Sequence, residues 1–134
     1  MILVDTSIWI RFLANREPYA PALDELLSLD EVAGHELIYG ELLVGDRGGR
    51  RLFLAMYERI HRAAAISHRE VVEFVHRRKL YGRGVGWVDV HLLASALVAR
   101  FYLWTADSRL AALASEFNIG YEPPRRAGST RHSI

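Results

Sequence analysis

The chain contains no cysteine. Disulfides, thiolate catalysis, cysteine-type zinc clusters and iron–sulfur centres are therefore excluded, and a reducing cytoplasm is a compatible setting. Lysine is nearly absent: Lys79 stands alone, and arginine supplies the remaining positive side chains. Long apolar runs are missing too. The longest, Leu92 to Ala99, is interrupted by Ser95, whereas a transmembrane helix needs about 20 apolar residues. Met1-Ile2-Leu3-Val4-Asp5 opens the sequence with no basic stretch ahead of an apolar one, so no secretory signal is expected. Repeats and low-complexity blocks are absent.

What remains is an ordinary globular balance. The 134 residues are 51% hydrophobic and 25% charged, which suits one domain with its own core. The net charge of +1 hides an asymmetry. Residues 1–66 carry 7 basic and 10 acidic groups, and residues 67–134 carry 10 and 6. A modest basic field around an acidic pocket suits a polyanionic substrate, although a mixed surface explains the totals equally well.

Short apolar runs alternate with segments of helical spacing. Strands are expected at Ile2–Val4, Glu31–Ala33, Ala63–Ile66, Phe101–Thr105 and Ile119–Tyr121. Helices are expected at Ser7–Ala14, Tyr19–Leu29, His35–Val44, Arg50–His61, Ser67–Tyr81, Asp89–Arg100 and Asp107–Phe117. Ser67 and Glu70 form a capping box, and Leu52, Met56 and Ile60 make an apolar stripe. This order predicts an α/β fold, a central parallel sheet of four to five short strands flanked by helices. The domain is read as residues 1–122, followed by a polar, basic tail at 123–134.

Four acids stand out: Asp5 after Ile2-Leu3-Val4, Glu41 among Leu37, Ile38 and Leu42, Asp89 after Gly86-Trp87-Val88, and Asp107 after Leu103-Trp104-Thr105-Ala106. Taken singly, Asp89 and Asp107 are ordinary helix caps. Taken together they differ. Parallel sheets bind ligands outside the carboxyl ends of their strands, which brings Asp5, Asp89 and Asp107 to one edge, with Glu41 beside them if its helix packs on the first strand. Carboxylates crowded this way repel unless a cation joins them. Mg²⁺ or Mn²⁺ matches such oxygen donors, and metal-assisted phosphate chemistry follows. Thr6, Ser7, Thr105 and Ser108 place hydroxyls beside the acids, able to orient them.

The stretches Ile2-Leu3-Val4-Asp5-Thr6-Ser7, Gly40-Glu41-Leu42-Leu43, Gly86-Trp87-Val88-Asp89-Val90-His91 and Thr105-Ala106-Asp107-Ser108-Arg109-Leu110, in this order, resemble the PIN-domain ribonucleases, specifically VapC-type toxins of type II toxin–antitoxin pairs. The resemblance covers nearly the whole chain except the tail. It implies a Mg²⁺-dependent endoribonuclease in the cytoplasm with Asp5, Glu41, Asp89 and Asp107 as metal ligands and catalytic residues. It also implies a cognate antitoxin whose C-terminal segment lies in the groove leading to the acids, an RNA substrate, and a homodimer. The polar pair His35-Glu36 departs from the apolar approach to Glu41 that the family leads one to expect.

Arg77, Arg78, Lys79 and Arg83 form a basic cluster suited to RNA phosphates, or simply a solvated helix face. The glycines at 82, 84 and 86 lack the Gly-Lys-Ser/Thr ending of a nucleotide-binding loop. His91 is read as structural, and Trp9, Trp87 and Trp104 as core residues rather than base-stacking ones. A haloacid dehalogenase-type phosphatase needs an acid where Ser7 stands. A phospho-receiver needs a lysine after a late strand, and Lys79 lies in a helix. The remaining alternative is a non-catalytic RNA- or protein-binding domain of the same fold.

Overall fold

The structure, a computed structural model, describes residues 1–124. Most of the expected tail, residues 125–134, lies outside the described residues. The elements run β1 (Ile2–Val4), α1 (Thr6–Leu13), α2 (Tyr19–Ser28), β2 (Val32–Gly34), α3 (Glu36–Gly45), α4 (Arg51–Arg59), β3 (His61–Arg62), α5 (His68–Arg78), α6 (Trp87–Ala99), β4 (Tyr102–Trp104) and α7 (Ser108–Glu116).

The four strands form one sheet in the order β3-β2-β1-β4, with every pairing parallel. Leu3 sits level with Ala33 on one side and Leu103 on the other. All three residues of β1 are buried, as they must be in a strand covered on both faces. The chain turns from β1 to one side to make β2 and β3, and β4 lies on the other side. The crevice between the carboxyl ends of β1 and β4 is thus the point where strand order reverses, the usual ligand position in such sheets.

Trp9 is completely buried in the core. Its indole N–H donates to the carbonyl of Val4 at 3.1 Å, and the rings of Phe53 and Tyr57 pack on it at 5.5 and 5.3 Å. The stripe expected on α4 holds in part: Met56 and Ile60 pack half-buried against the core, while Leu52 is 84% exposed. Leu54 and Tyr57 are the buried residues of the helix, and the Tyr57 and Phe53 rings cover Trp9. The strand expected at Ala63–Ile66 is displaced to His61–Arg62. The last expected strand reduces to a single parallel bridge between Leu103 and Gly120. Helix α5 begins with the expected cap, the Glu70 N–H donating to Ser67 Oγ at 3.2 Å. It stops before Tyr81 because Lys79 adopts a left-handed conformation at φ 56°.

The polar approach to α3 has a structural use. His35 is fully buried and caps the helix: the Leu37 N–H donates to His35 Nδ1 at 3.1 Å. With Nδ1 accepting, Nε2 carries the proton and donates to Ser95 Oγ at 2.9 Å. Burial holds the imidazole pKa below its ordinary value, consistent with this neutral form. The backbone N–H of His35 donates to the Tyr57 hydroxyl at 2.9 Å. Gly34 leaves room for that ring, since a Cβ there would stand 3.0 Å from it.

Candidate active site at the carboxyl edge of the sheet

Asp5, Asp89 and Asp107 each stand at or in the first turn of a helix, and Glu41 is held by a longer-range bond. Asp5 ends β1 and caps α1, and its buried carboxylate accepts from three donors: the Thr6 N–H at 2.8 Å, Ser7 Oγ at 2.9 Å and Thr105 Oγ1 at 2.7 Å. Asp107 caps α7, accepting from the N–H groups of Arg109 and Leu110 at 2.9 and 3.1 Å. Asp89 does not open α6 as expected. The helix starts two residues earlier, at Trp87, and the Asp89 carboxylate folds back to accept from the Gly86 N–H at 3.4 Å. Glu41 is exposed rather than sunk among Leu37, Ile38 and Leu42. It nevertheless reaches the edge, accepting from Thr6 Oγ1 at 2.5 Å.

Hydroxyls join Asp5, Glu41 and the backbone of Asp107 into one frame, while Asp89 is held by the Gly86 N–H. Thr6 donates to Asp5 through its N–H and to Glu41 through its side chain. Thr105 donates to Asp5, and its own oxygen accepts the N–H of Asp107 at 3.0 Å. The Ser7 oxygen accepts from the Ala106 N–H at 3.0 Å, tying the turn after β4 to the turn after β1. Ser108 is exposed and takes no part in this network.

The electrostatics follow from the crowding. Asp89 is pushed up from 3.8 to about 6, first by burial and then by the charges of Asp5, Asp107 and Glu41, with the Gly86 N–H opposing. All three other acids thus act on Asp89. The ion pairs among the described residues are Arg69–Glu73 and Arg83–Glu116, so among these residues no arginine or lysine pairs with the cluster. Among the described residues, no three histidine or acidic side chains stand close enough to clasp one bare ion. The donor set is hard oxygen throughout. It fits an ion such as Mg²⁺, which takes one or two carboxylates and keeps waters for its remaining positions. It does not fit an ion that needs a closed protein cage.

The basic cluster is elsewhere. Arg77 and Arg78 face the carboxyl-terminal part of α6 across a surface depression shared with Leu97 and Val98. The Arg78 guanidinium lies 4.5 Å from the centre of the Phe117 ring, beyond the end of α7. Lys79 is exposed beside them, and Arg83 is engaged by Glu116. No hydrogen bond or ion pair among the described residues joins these four side chains to the acids. Arg109, which the sequence reading passed over, lies in the first turn of α7 and holds the loop before α6 instead. Its guanidinium donates to the Gly84 carbonyl at 3.4 Å and occupies the place where a Cβ on Gly84 would sit, 2.9 Å away. Gly84 also has φ +79°, so glycine is needed there for two reasons. Of the tryptophans, Trp9 and Trp104 are core, but Trp87 is 44% exposed. His91 is buried, with its ring edge-on to Trp87 at 4.8 Å and its Nδ1 without a hydrogen-bond partner among the described residues.

A groove of about 430 Å³ leads away from Thr6 and Glu41, floored by Ile10, Leu13, Leu42, Phe53 and Leu54 and edged by Arg47 and Arg50. No helix among the described residues is long and apolar enough to cross a membrane.

Known proteins are similar to this chain. The PIN domain family matches residues 2–116. Ribonuclease VapC32 from two strains of Mycobacterium tuberculosis, CDC 1551 / Oshkosh and ATCC 25618 / H37Rv, is 42% identical over 120 residues, which covers 89% of this chain and 94% of the relative. With the parallel sheet and the acidic carboxyl edge already in place, this match over nearly the full length means that the chain belongs to the PIN-domain family and, within it, to the VapC-type proteins.

Proposed function

We propose that this chain is a divalent-metal-dependent endoribonuclease, the toxin of a type II toxin–antitoxin pair, acting in the cytoplasm. The observation that carries the reading is the edge itself: Asp89 is raised to about 6 by burial and by the charges of Asp5, Asp107 and Glu41, and among the described residues no cationic side chain is paired with any of the four. Such a cluster is costly to keep and makes sense where a cation joins it. The 42% identity to a protein named as a ribonuclease directs the reading to RNA.

Asp5, Asp89, Asp107 and Glu41 would share Mg²⁺, or Mn²⁺ in its place, one or two of the carboxylates directly and the others through waters that the ion keeps. When bound, the ion supplies a water of lowered pKa and counter-charge for the phosphoryl oxygens. The chain's own part is positional. Thr6, Ser7 and Thr105 fix both oxygens of Asp5, and Thr6 keeps Glu41 in register with it. The Gly86 N–H aims Asp89 back over the start of α6. The reaction class is hydrolysis of an RNA phosphodiester.

The partner is a cognate antitoxin, one segment of which would occupy the groove beside Glu41. Its apolar floor and the exposed Leu43 and Val44 nearby suit a peptide with alternating apolar side chains. The toxin would act as a homodimer. The test is incubation of the antitoxin-free protein with RNA in Mg²⁺, in Mn²⁺ and in EDTA, beside Asp5→Asn. Metal-dependent cleavage that Asp5→Asn abolishes supports the proposal. RNA binding that survives EDTA, without cleavage, would support the non-catalytic alternative instead.

A further inference from the structure

Between α5 and α6 the chain enters the left-handed region three times, at Lys79, Gly82 and Gly84, with φ 56°, 73° and 79°. Leu80 is buried at one end of this loop, and Val85 packs half-buried against the core at the other. Apolar burial of that kind is non-directional. The directional anchors both come from one helix, α7. The Arg109 guanidinium donates to the Gly84 carbonyl at 3.4 Å and lies against the side of that glycine where a Cβ would stand. Both terminal nitrogens of Arg83 donate to the two carboxylate oxygens of Glu116. An exposed ion pair is ordinarily worth little, but a bidentate fork is the stronger kind. Arg109 and Glu116 stand two turns apart and so share one face of α7.

Both ends of this arrangement reach the acids. Asp107 caps α7 and accepts from the backbone N–H of Arg109 itself at 2.9 Å. Two residues beyond Gly84, the Gly86 N–H donates to the Asp89 carboxylate at 3.4 Å. Asp107 is near enough for its charge to act on Asp89.

We propose that Arg109 is a positioning residue: with the Arg83–Glu116 pair as a second anchor, it clamps the loop 79–86 to α7, fixes the Gly86 N–H that aims the Asp89 carboxylate, and so sets Asp89 in register with Asp107 for a shared divalent cation. The inference rests on the metal-dependent ribonuclease reading and deepens it by naming what holds two of the acids in register. Groups that orient a metal's ligands without touching the metal typically change its affinity by about 10- to 100-fold when they are lost.

The test reads metal binding without RNA. Mn²⁺ is titrated into the full chain, and the free ion is followed by electron paramagnetic resonance. Arg109→Ala is expected to weaken Mn²⁺ binding by about 10- to 100-fold, and Arg109→Lys, which keeps a donor for the Gly84 carbonyl, by less. Arg83→Glu and Glu116→Arg each set like charges against one another. Long-range charge alone would tighten Mn²⁺ binding in Arg83→Glu and loosen it in Glu116→Arg. The clamp weakens binding in both and recovers it in the double variant. In the metal-free protein, amide exchange at Gly86 is expected to rise in Arg109→Ala while the amides of β1 keep the parent rate. An unchanged Mn²⁺ Kd or unchanged Gly86 exchange in Arg109→Ala, or a double reversal that binds no better than the single ones, overturns the proposal; a parent chain that binds Mn²⁺ and cleaves RNA then leaves the ribonuclease reading intact. A folded parent chain that neither binds Mn²⁺ nor cleaves RNA overturns both. The charge reversals lie at exposed positions, so a misfolded Arg109→Ala does not remove the test.

Discussion

Replacing Asp89 by asparagine should make the metal-free protein more stable while removing its cleavage. Asp89 is half-buried and its carboxyl titrates at about 6 in the folded chain instead of 3.8. Because the folded pKa is the higher one, the folded state holds its proton more tightly than the unfolded state does. Stability is therefore greatest below about pH 4 with respect to this group and is lost as pH rises through 6. At full strength the loss is about 3 kcal/mol. Discounted for solvent screening of a half-exposed group, it is about 1–2 kcal/mol. Asparagine keeps the oxygen that accepts the Gly86 N–H and removes the charge that Asp5, Asp107 and Glu41 repel. Urea unfolding of both proteins in EDTA, at pH 4 and at pH 8, isolates the effect. The expected difference is close to zero at pH 4 and about 1–2 kcal/mol in favour of Asp89→Asn at pH 8. If the acids hold Mg²⁺ as proposed, adding it at pH 8 should stabilise the parent chain more than the variant. A difference that does not change with pH, or a variant less stable than the parent at pH 8, would refute the idea that these four acids repel across a shared space.

Other substitutions probe the frame around the site. Thr6→Val removes the hydroxyl between Asp5 and Glu41 and should lower metal-dependent RNA cleavage by about 10- to 100-fold, with an unchanged circular dichroism spectrum. Tyr57→Phe leaves the buried N–H of His35 without its partner and should cost about 1–3 kcal/mol in urea unfolding. Leu110→Ala, at a fully buried position of α7, should cost about 2–5 kcal/mol in the same assay; a loss under about 1 kcal/mol there would contradict the packing of α7 on β4.

Much of this molecule was legible in one dimension. An unbroken apolar triplet ending in an acid, Ile2-Leu3-Val4-Asp5, reads as a buried parallel strand with a polar group at its carboxyl end, and β1 has that form. Asp107 reads as a helix cap and is one. The alternation of strands and helices carries the parallel sheet, since connections of that length leave little else. These features are local or nearly so: they depend on period, turn chemistry and chain order.

Contacts between segments far apart in sequence were settled only by the tertiary structure. Leu54 and Tyr57 are the buried residues of α4, and the Phe53 and Tyr57 rings cover Trp9, some forty residues away; an aliphatic stripe at helical spacing cannot reveal that. The edge strand His61–Arg62 has two exposed residues and so no hydrophobic pattern to read. Glu41 is exposed where the local pattern buried it, yet it reaches the site through Thr6, a bond that exists only because α3 packs beside α1. The sequence left the basic residues at 77–83 open between RNA contact and a solvated helix face. The folded chain carries two of them toward the end of α7 and pairs Arg83 with Glu116. Sequence by itself determined which acids follow which strands and hence the sheet edge they share. The fold decided how deeply each of those acids is buried and which hydroxyls reach them. Such features depend on how layers pack, and no single segment carries them.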